Sequence, residues 1–132
     1  AMAAEELSVF HIEAGIAAEY ATAPSFRETD WSAVIRYYDA LLSLKKSPVV
    51  ALNRAVAVAL SSRPEGLADL YSLEKDQALK DYHLLYASIG ELERRRGDTA
   101  SARKYFEKAL TLARTEPEKR FLTKRLALVR QK

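Results

Sequence analysis

The chain has no cysteine in its 132 residues. Disulfides, thiolate metal sites and a cysteine nucleophile are therefore excluded, and nothing demands an oxidising compartment. Glycine and proline number only four each, and the glycines stand too far apart to build a phosphate-cradling loop or a Gly-x-Ser-x-Gly elbow. Long apolar runs are missing too. None nears the roughly 20 residues that span a bilayer, and no basic-plus-apolar signal opens the chain, so a cytoplasmic protein without membrane contact is expected. Histidine occurs twice, at His11 and His83, in no His-x-x-x-His or other metal-ligand motif. Adjacent acids occur only at Glu5-Glu6, and nothing in the sequence gathers two carboxylates into one cleft, as carboxylate-pair chemistry requires. No catalytic, cofactor-binding or metal-binding residue is expected, and the chain does not read as an enzyme.

What is present is ordinary for a soluble globular protein: 48% apolar and 30% charged residues. Ala, Leu, Glu, Lys and Arg dominate, with no alternating β-branched pattern, which predicts an all-α chain. The length fits a single domain over residues 1–132. Ala1-Met2-Ala3 reads as a cloning remnant, and the abrupt start leads to the expectation of an excised domain. Charge is unevenly spread. Residues 1–79 carry 7 basic and 11 acidic side chains, while residues 80–132 carry 14 and 7. The basic end is either a solvated helical face or a surface for nucleic acid or an acidic protein.

Periodicity and capping signals predict seven helices. The first, about 4–22, steps Leu7, Phe10, Ala14, Ala17 and Ala18 along one face. Pro24 and Ser25 break it, and Asp30 caps a helix from Trp31 to about Lys45 with Val34, Ile35, Tyr38, Leu41 and Leu42 inward. Ser47-Pro48 is an N-cap followed by proline at the first helical position, opening a helix to about Leu60. That helix is apolar nearly all round and should be the most buried. Capping-box spacing at Ser62-Arg63-Pro64-Glu65 and Thr115-Glu116-Pro117-Glu118 opens helices of about 64–73 and 117–130. A long helix of about 80–96 ends at Gly97, and its partner runs from Thr99 to about Arg114. Small residues at Gly90, Ala102 and Ala109 allow close approach, with Phe106 filling the space between hairpins.

The series Tyr86, Ile89, Gly90, Gly97, Ala102, Phe106, Ala109 and Leu110 has the spacing of a tetratricopeptide (TPR) hairpin. A 34-residue period relates Asp98 to Pro64 and Asp30, and Tyr105 to Tyr71 and Tyr37. The expected architecture is a TPR-like right-handed superhelix of antiparallel hairpins, about seven helices, with pairs at about 4–45, 48–73 and 80–114 and a capping helix at 117–131. Such repeats bind partners. The first helix of each pair lines the concave face, which makes His11, Asn53, Arg54, His83, Glu91, Arg94 and Arg95 candidates for a partner-binding groove. Asn53 and Arg54 stand out because two polar side chains interrupt an apolar helix, and burying them unsatisfied costs about 1 to 3 kcal/mol each. Either they line a groove, or Asn53 bonds neighbouring backbone and Arg54 pairs with an acid such as Asp39. The tyrosine series reads as hairpin packing, with base stacking as the alternative. No helix-turn-helix with a recognition helix can be placed.

The string DWSAVIRYYDALLSLKKSPVVALNRAVAVAL (30–60), with FHIEAGIAAEYA (10–21), DYHLLYASIGELERRRGDTASARKYFEKAL (81–110) and EPEKRFLTKRL (116–126), resembles the C-terminal region of bacterial extracytoplasmic-function RNA polymerase sigma factors that carry a TPR-like extension. Its most specific parts are Asp30-Trp31, Tyr38-Asp39, Ser47-Pro48-Val49-Val50, Asn53-Arg54-Ala55-Val56-Ala57, Tyr82-His83-Leu84-Leu85 and 118–122. The resemblance implies a cytoplasmic transcription initiation factor whose regions 2 and 4 bind core polymerase and read the promoter. Those regions are absent from these 132 residues, so DNA would be contacted by the full-length protein and not by this domain. The extension would regulate through the sigma regions of the same polypeptide, through polymerase core or through a regulatory protein. The alternative is a free-standing TPR adaptor for a peptide or protein. Chaperone-type TPRs hold a terminal carboxylate with Lys and Asn at positions occupied here by Asn53, Ala57, Ala87 and Glu91, so that clamp is not expected.

Overall fold

The computed structural model of the chain describes residues 31–130, and every described element is helical: α1 (Trp31–Leu44), α2 (Pro48–Leu60), α3 (Glu65–Leu73), a 3-10 turn (Gln77–Leu79), α4 (His83–Arg96), α5 (Thr99–Leu112) and α6 (Glu116–Arg130). The helix expected at 4–22, with His11 and the Asp30 cap, lies outside the described residues. The chain divides into two compact units, one ending at Gly66 and one beginning at Leu67.

In the first unit α1 and α2 pack on each other. The three residues between them force an antiparallel pair. Ile35 and Tyr38 of α1 meet Ala57 and Val58 of α2, flanked by Trp31, Val34, Leu41 and Val50. The start of α2 is set locally: Ser47 is extended and its Oγ accepts from the Val50 amide at 3.3 Å, with Pro48 next, where a missing N–H costs nothing.

The end of α2 departs from expectation. Ser62 does not cap α3. It sits at φ 67° as the left-handed residue closing α2, its N–H donating to the Ala59 carbonyl and the Arg63 N–H to the Val58 carbonyl. This is the hydrogen-bond pattern of a Schellman stop. Satisfying the last carbonyls of a helix with no exposed residue prevailed over a serine cap for a short one, at a backbone cost of about 1 kcal/mol. Two residues into α3, Gly66 lies against α2 so closely that a Cβ there would stand 2.2 Å from the Ala59 nitrogen and 2.6 Å from the Ala55 oxygen.

The second unit is built around α4, with α5 packed on α4 and α6 on α5. A two-residue connection at Gly97-Asp98 makes α4 and α5 an antiparallel hairpin. Gly97 takes φ 92°, a conformation costly for residues with a Cβ, while Asp98 Oδ1 accepts from the Ser101 amide at 3.0 Å to start α5. At the centre, Phe106 is fully buried and its ring would lie 2.9 Å from a Cβ at Gly90, so the absent side chain makes room for the aromatic ring. Thr115 and Glu118 form the expected capping box: Glu118 Oε1 accepts from the Thr115 amide at 3.3 Å, and Thr115 Oγ1 accepts from the Glu118 amide at 3.3 Å.

Two further expectations need correction. Helix α4 begins at His83 instead of Lys80. Asp76 Oδ1 accepts from the Ala78 amide at 2.9 Å and opens the 3-10 turn, and the Lys80 carbonyl accepts from the Tyr86 hydroxyl at 2.8 Å, which holds that carbonyl short of the helix. Nor is α2 the most buried helix. It buries six of 13 residues, whereas α4 buries nine of 14, including Glu91 and Glu93. A hydropathy pattern undervalues α4 because it counts those carboxylates as surface residues.

Candidate functional site

Of the residues expected to form a groove, α4 gathers three. Glu91 is 1% exposed, and Arg94, one turn on, grips it with two bonds, Nε to Oε1 at 3.0 Å and Nη2 to Oε2 at 2.7 Å. Arg95 Nε reaches Oε2 at 3.0 Å, as the i, i+4 spacing allows. Arg125 of α6 adds Nη1 at 3.3 Å from Oε1 while its guanidinium lies 5.1 Å from the centre of the Phe121 ring. Burial is the largest single influence on Glu91 and opposes ionisation. The Arg94 bonds, the Arg125 charge and the Arg95 bond together outweigh it and hold the carboxyl below the usual glutamate range. The same contact raises Arg94. Glu91 is thus the hub of a buried ionic cluster, with Arg94 and Arg95 presenting about a third of their side chains to solvent.

A second carboxylate on α4 faces the other way. Glu93 accepts from the Tyr71 hydroxyl of α3 at 2.5 Å and pairs with Arg96 at 2.8 Å. Nearby, Tyr105 of α5 donates to Glu74 at 2.9 Å and meets Tyr71 edge to face at 5.7 Å. Burial, then the Glu74 bond, pushes Tyr105 up to about 12. Burial and Glu93 raise Tyr71 further still. Tyr71 and Tyr105, two of the three positions of the 34-residue tyrosine echo, therefore meet in an interhelical contact.

Asn53 and Arg54 belong to the first unit. Asn53 is 7% exposed and not without a partner, so its side chain does not form an open surface. Arg54 Nε bonds Asp39 Oδ1 at 2.6 Å with a third of its side chain exposed. His11 lies outside the described residues.

His83 stands eight residues before Glu91, about 12 Å along the helix, and takes no part in the arginine cluster. It lines a separate cleft of about 450 Å³ with Ala78, Asp81, Tyr82, Leu112, Arg114, Thr115 and Glu118. Glu118 Oε2 lies 3.9 Å from His83 Nε2. Glu118 Oε1 meanwhile accepts from the Arg114 amide at 2.9 Å. That backbone bond is the main reason the Glu118 carboxyl sits below its ordinary range, with burial opposing and the Thr115 amide and His83 assisting. The sequence marks Glu118 as a helix cap and His83 as a groove residue, but no spacing signal says that they face each other, because they are 35 positions apart on different helices. Among the described residues no group of three or more His, Asp or Glu side chains could hold a metal ion, and no helix is long and apolar enough to cross a membrane.

No family model matches the chain. It is similar to an uncharacterized protein of Rhizobium meliloti (strain 1021), 36% identical over 118 residues, a match covering 89% of this chain and 27% of that protein. The chain thus spans about a quarter of the length of the curated relative it matches.

Proposed function

We propose that this chain is the C-terminal TPR-like domain of a bacterial extracytoplasmic-function RNA polymerase sigma factor, a cytoplasmic regulatory and protein-interaction module in DNA-templated transcription initiation. The sequence resemblance over 30–60 motivates the reading. The observation that supports it best is the coverage of the relative: there, the matched stretch is about a quarter of a longer polypeptide, as a regulatory extension joined to sigma regions would be. The reading includes a right-handed superhelix of stacked hairpins. The α4–α5 hairpin, with Gly90 under Phe106 and α6 against α5, is the local packing that such stacking uses. Its partners are the sigma regions of the same polypeptide, polymerase core or a regulatory protein, and it assigns no catalytic residue.

The test is transcription in vitro by the full-length protein with purified core polymerase, compared with a version lacking this chain and one carrying Arg54→Ala, whose ion pair is largely exposed. Loss of the chain should change promoter-specific transcript yield several-fold, and the arginine variant should reproduce part of that change while remaining folded by circular dichroism. A native reading frame without sigma regions, together with capture of an unrelated peptide, would establish the adaptor reading instead.

A further inference from the structure

The cleft at the start of α4 is not explained by a role in transcription. Its volume of about 450 Å³ falls in the range of small-ligand sites, about 300 to 1,000 Å³, and far exceeds the roughly 30 Å³ of one water. Asp81 and Arg114 line the cleft, both exposed and not paired with each other, and Glu118 has one oxygen committed to backbone amides. The other oxygen, Oε2, faces His83 Nε2 across 3.9 Å, too far for a direct hydrogen bond. Counting Asp81, Glu118 and Arg114, the lining residues carry a net negative formal charge.

We propose that this cleft binds a protonated primary amine. The ammonium donates to Glu118 Oε2 and to Nε2 of a neutral His83, which accepts when the ring proton is on Nδ1. A nitrogen about 2.9 Å from both acceptors would see them about 85° apart, near enough to the tetrahedral spread of ammonium hydrogens for both bonds to form. Asp81 adds charge, and Ala78 and Leu112 offer an apolar wall to the aliphatic part of the ligand. The side chain that caps α6 thereby doubles as the recognition group: the amides of Arg114 and Thr115 fix Oε1 and so aim Oε2. The amine is either a free small molecule or a lysine side chain of a peptide, and the chemistry is shared.

The experiment titrates the 132-residue chain, ¹⁵N-labelled, with 1,4-diaminobutane, with Nα-acetyl-lysine methylamide and with its Nε-acetylated form. Saturable shifts confined to the amides of residues 81–84 and 112–118, seen with the charged probes and absent with the acetylated one, support the proposal. Saturation by diaminobutane points to a free amine as the source, and saturation by the lysine amide alone points to a peptide. Glu118→Gln keeps an acceptor for the capping box and removes the charge, and should weaken binding about tenfold or more. Should that variant unfold, His83→Ala removes the second acceptor without touching the cap, and is expected to weaken binding likewise. No saturable shift by about 10 mM of either amine, equal response to the acetylated probe, or unaltered binding in the folded variant would overturn the proposal. None of these readouts involves polymerase, so the result is independent of the sigma-factor reading.

Discussion

Arg125 Nη1 of α6 lies 3.3 Å from Glu91 Oε1 of α4, so a carboxylate buried in one helix is matched by a guanidinium from another as well as by its own helical neighbours. Removing one partner of a buried ionic cluster leaves charge uncompensated and typically costs 3 to 5 kcal/mol.

Glu91→Ala is expected at the low end, about 3 kcal/mol, because Arg94 and Arg95 are already about a third exposed and can turn to water. Denaturant unfolding measures it. The cluster also predicts a pH dependence. The folded-state carboxyl of Glu91 is depressed, so between its folded and unfolded values the unfolded chain binds more protons and stability rises with pH. The contribution is complete above the unfolded glutamate value of about 4.3 and is lost as pH falls through the folded one. Glu91→Gln should flatten this acid limb in part, since Asp98 and Glu118 are depressed as well. An unaltered limb in that variant would remove Glu91 as a source of acid sensitivity.

Two glycines should respond differently to the same methyl group. At Gly66 the added Cβ would meet backbone atoms of Ala59 and Ala55 at 2.2 and 2.6 Å, and backbone cannot yield without moving a helix. Gly66→Ala is therefore expected to cost about 3 kcal/mol, the upper end for overpacking. At Gly90 the obstacle is the edge of the Phe106 ring at 2.9 to 3.2 Å. A ring can shift, and the helix gains about 1 kcal/mol from exchanging glycine for alanine, so Gly90→Ala should fall within about 1 kcal/mol of the parent. Thermal unfolding of both variants checks the order, and a Gly90 variant worse than the Gly66 one would contradict it.

Asn53 and Arg54 separate in the same way. Arg54→Ala breaks an ion pair whose side chains are 33% and 53% exposed, worth at most about 1 kcal/mol. Asn53→Ala strips a buried, partnered amide and should cost about 1 to 3 kcal/mol. Arg54 is therefore the residue to alter when partner binding is to be read without unfolding the chain, and chemical denaturation of the two single variants tests the distinction.

The sequence by itself determined the six described helices and several of their boundaries. Ser47-Pro48, Gly97-Asp98 and the Thr115 to Glu118 box act within one turn of chain, and a signal complete in four residues can be read without the fold. Spacing marks Gly90 as a point of close approach and sends Phe106 between hairpins; that Phe106 packs on Gly90 inside the α4–α5 hairpin is decided by the fold. Where two local signals competed, as at Ser62, the outcome followed the neighbouring helix's need to satisfy its carbonyls. Only the tertiary structure decided that Glu91 is buried beneath arginines from two helices, that His83 lies apart from them facing Glu118, and that Gly66 touches the α2 backbone. Periodicity sets which face of a helix turns inward. Partners drawn from different helices depend on the axial offset and crossing of those helices, and that information is not carried by the spacing of residues along either one.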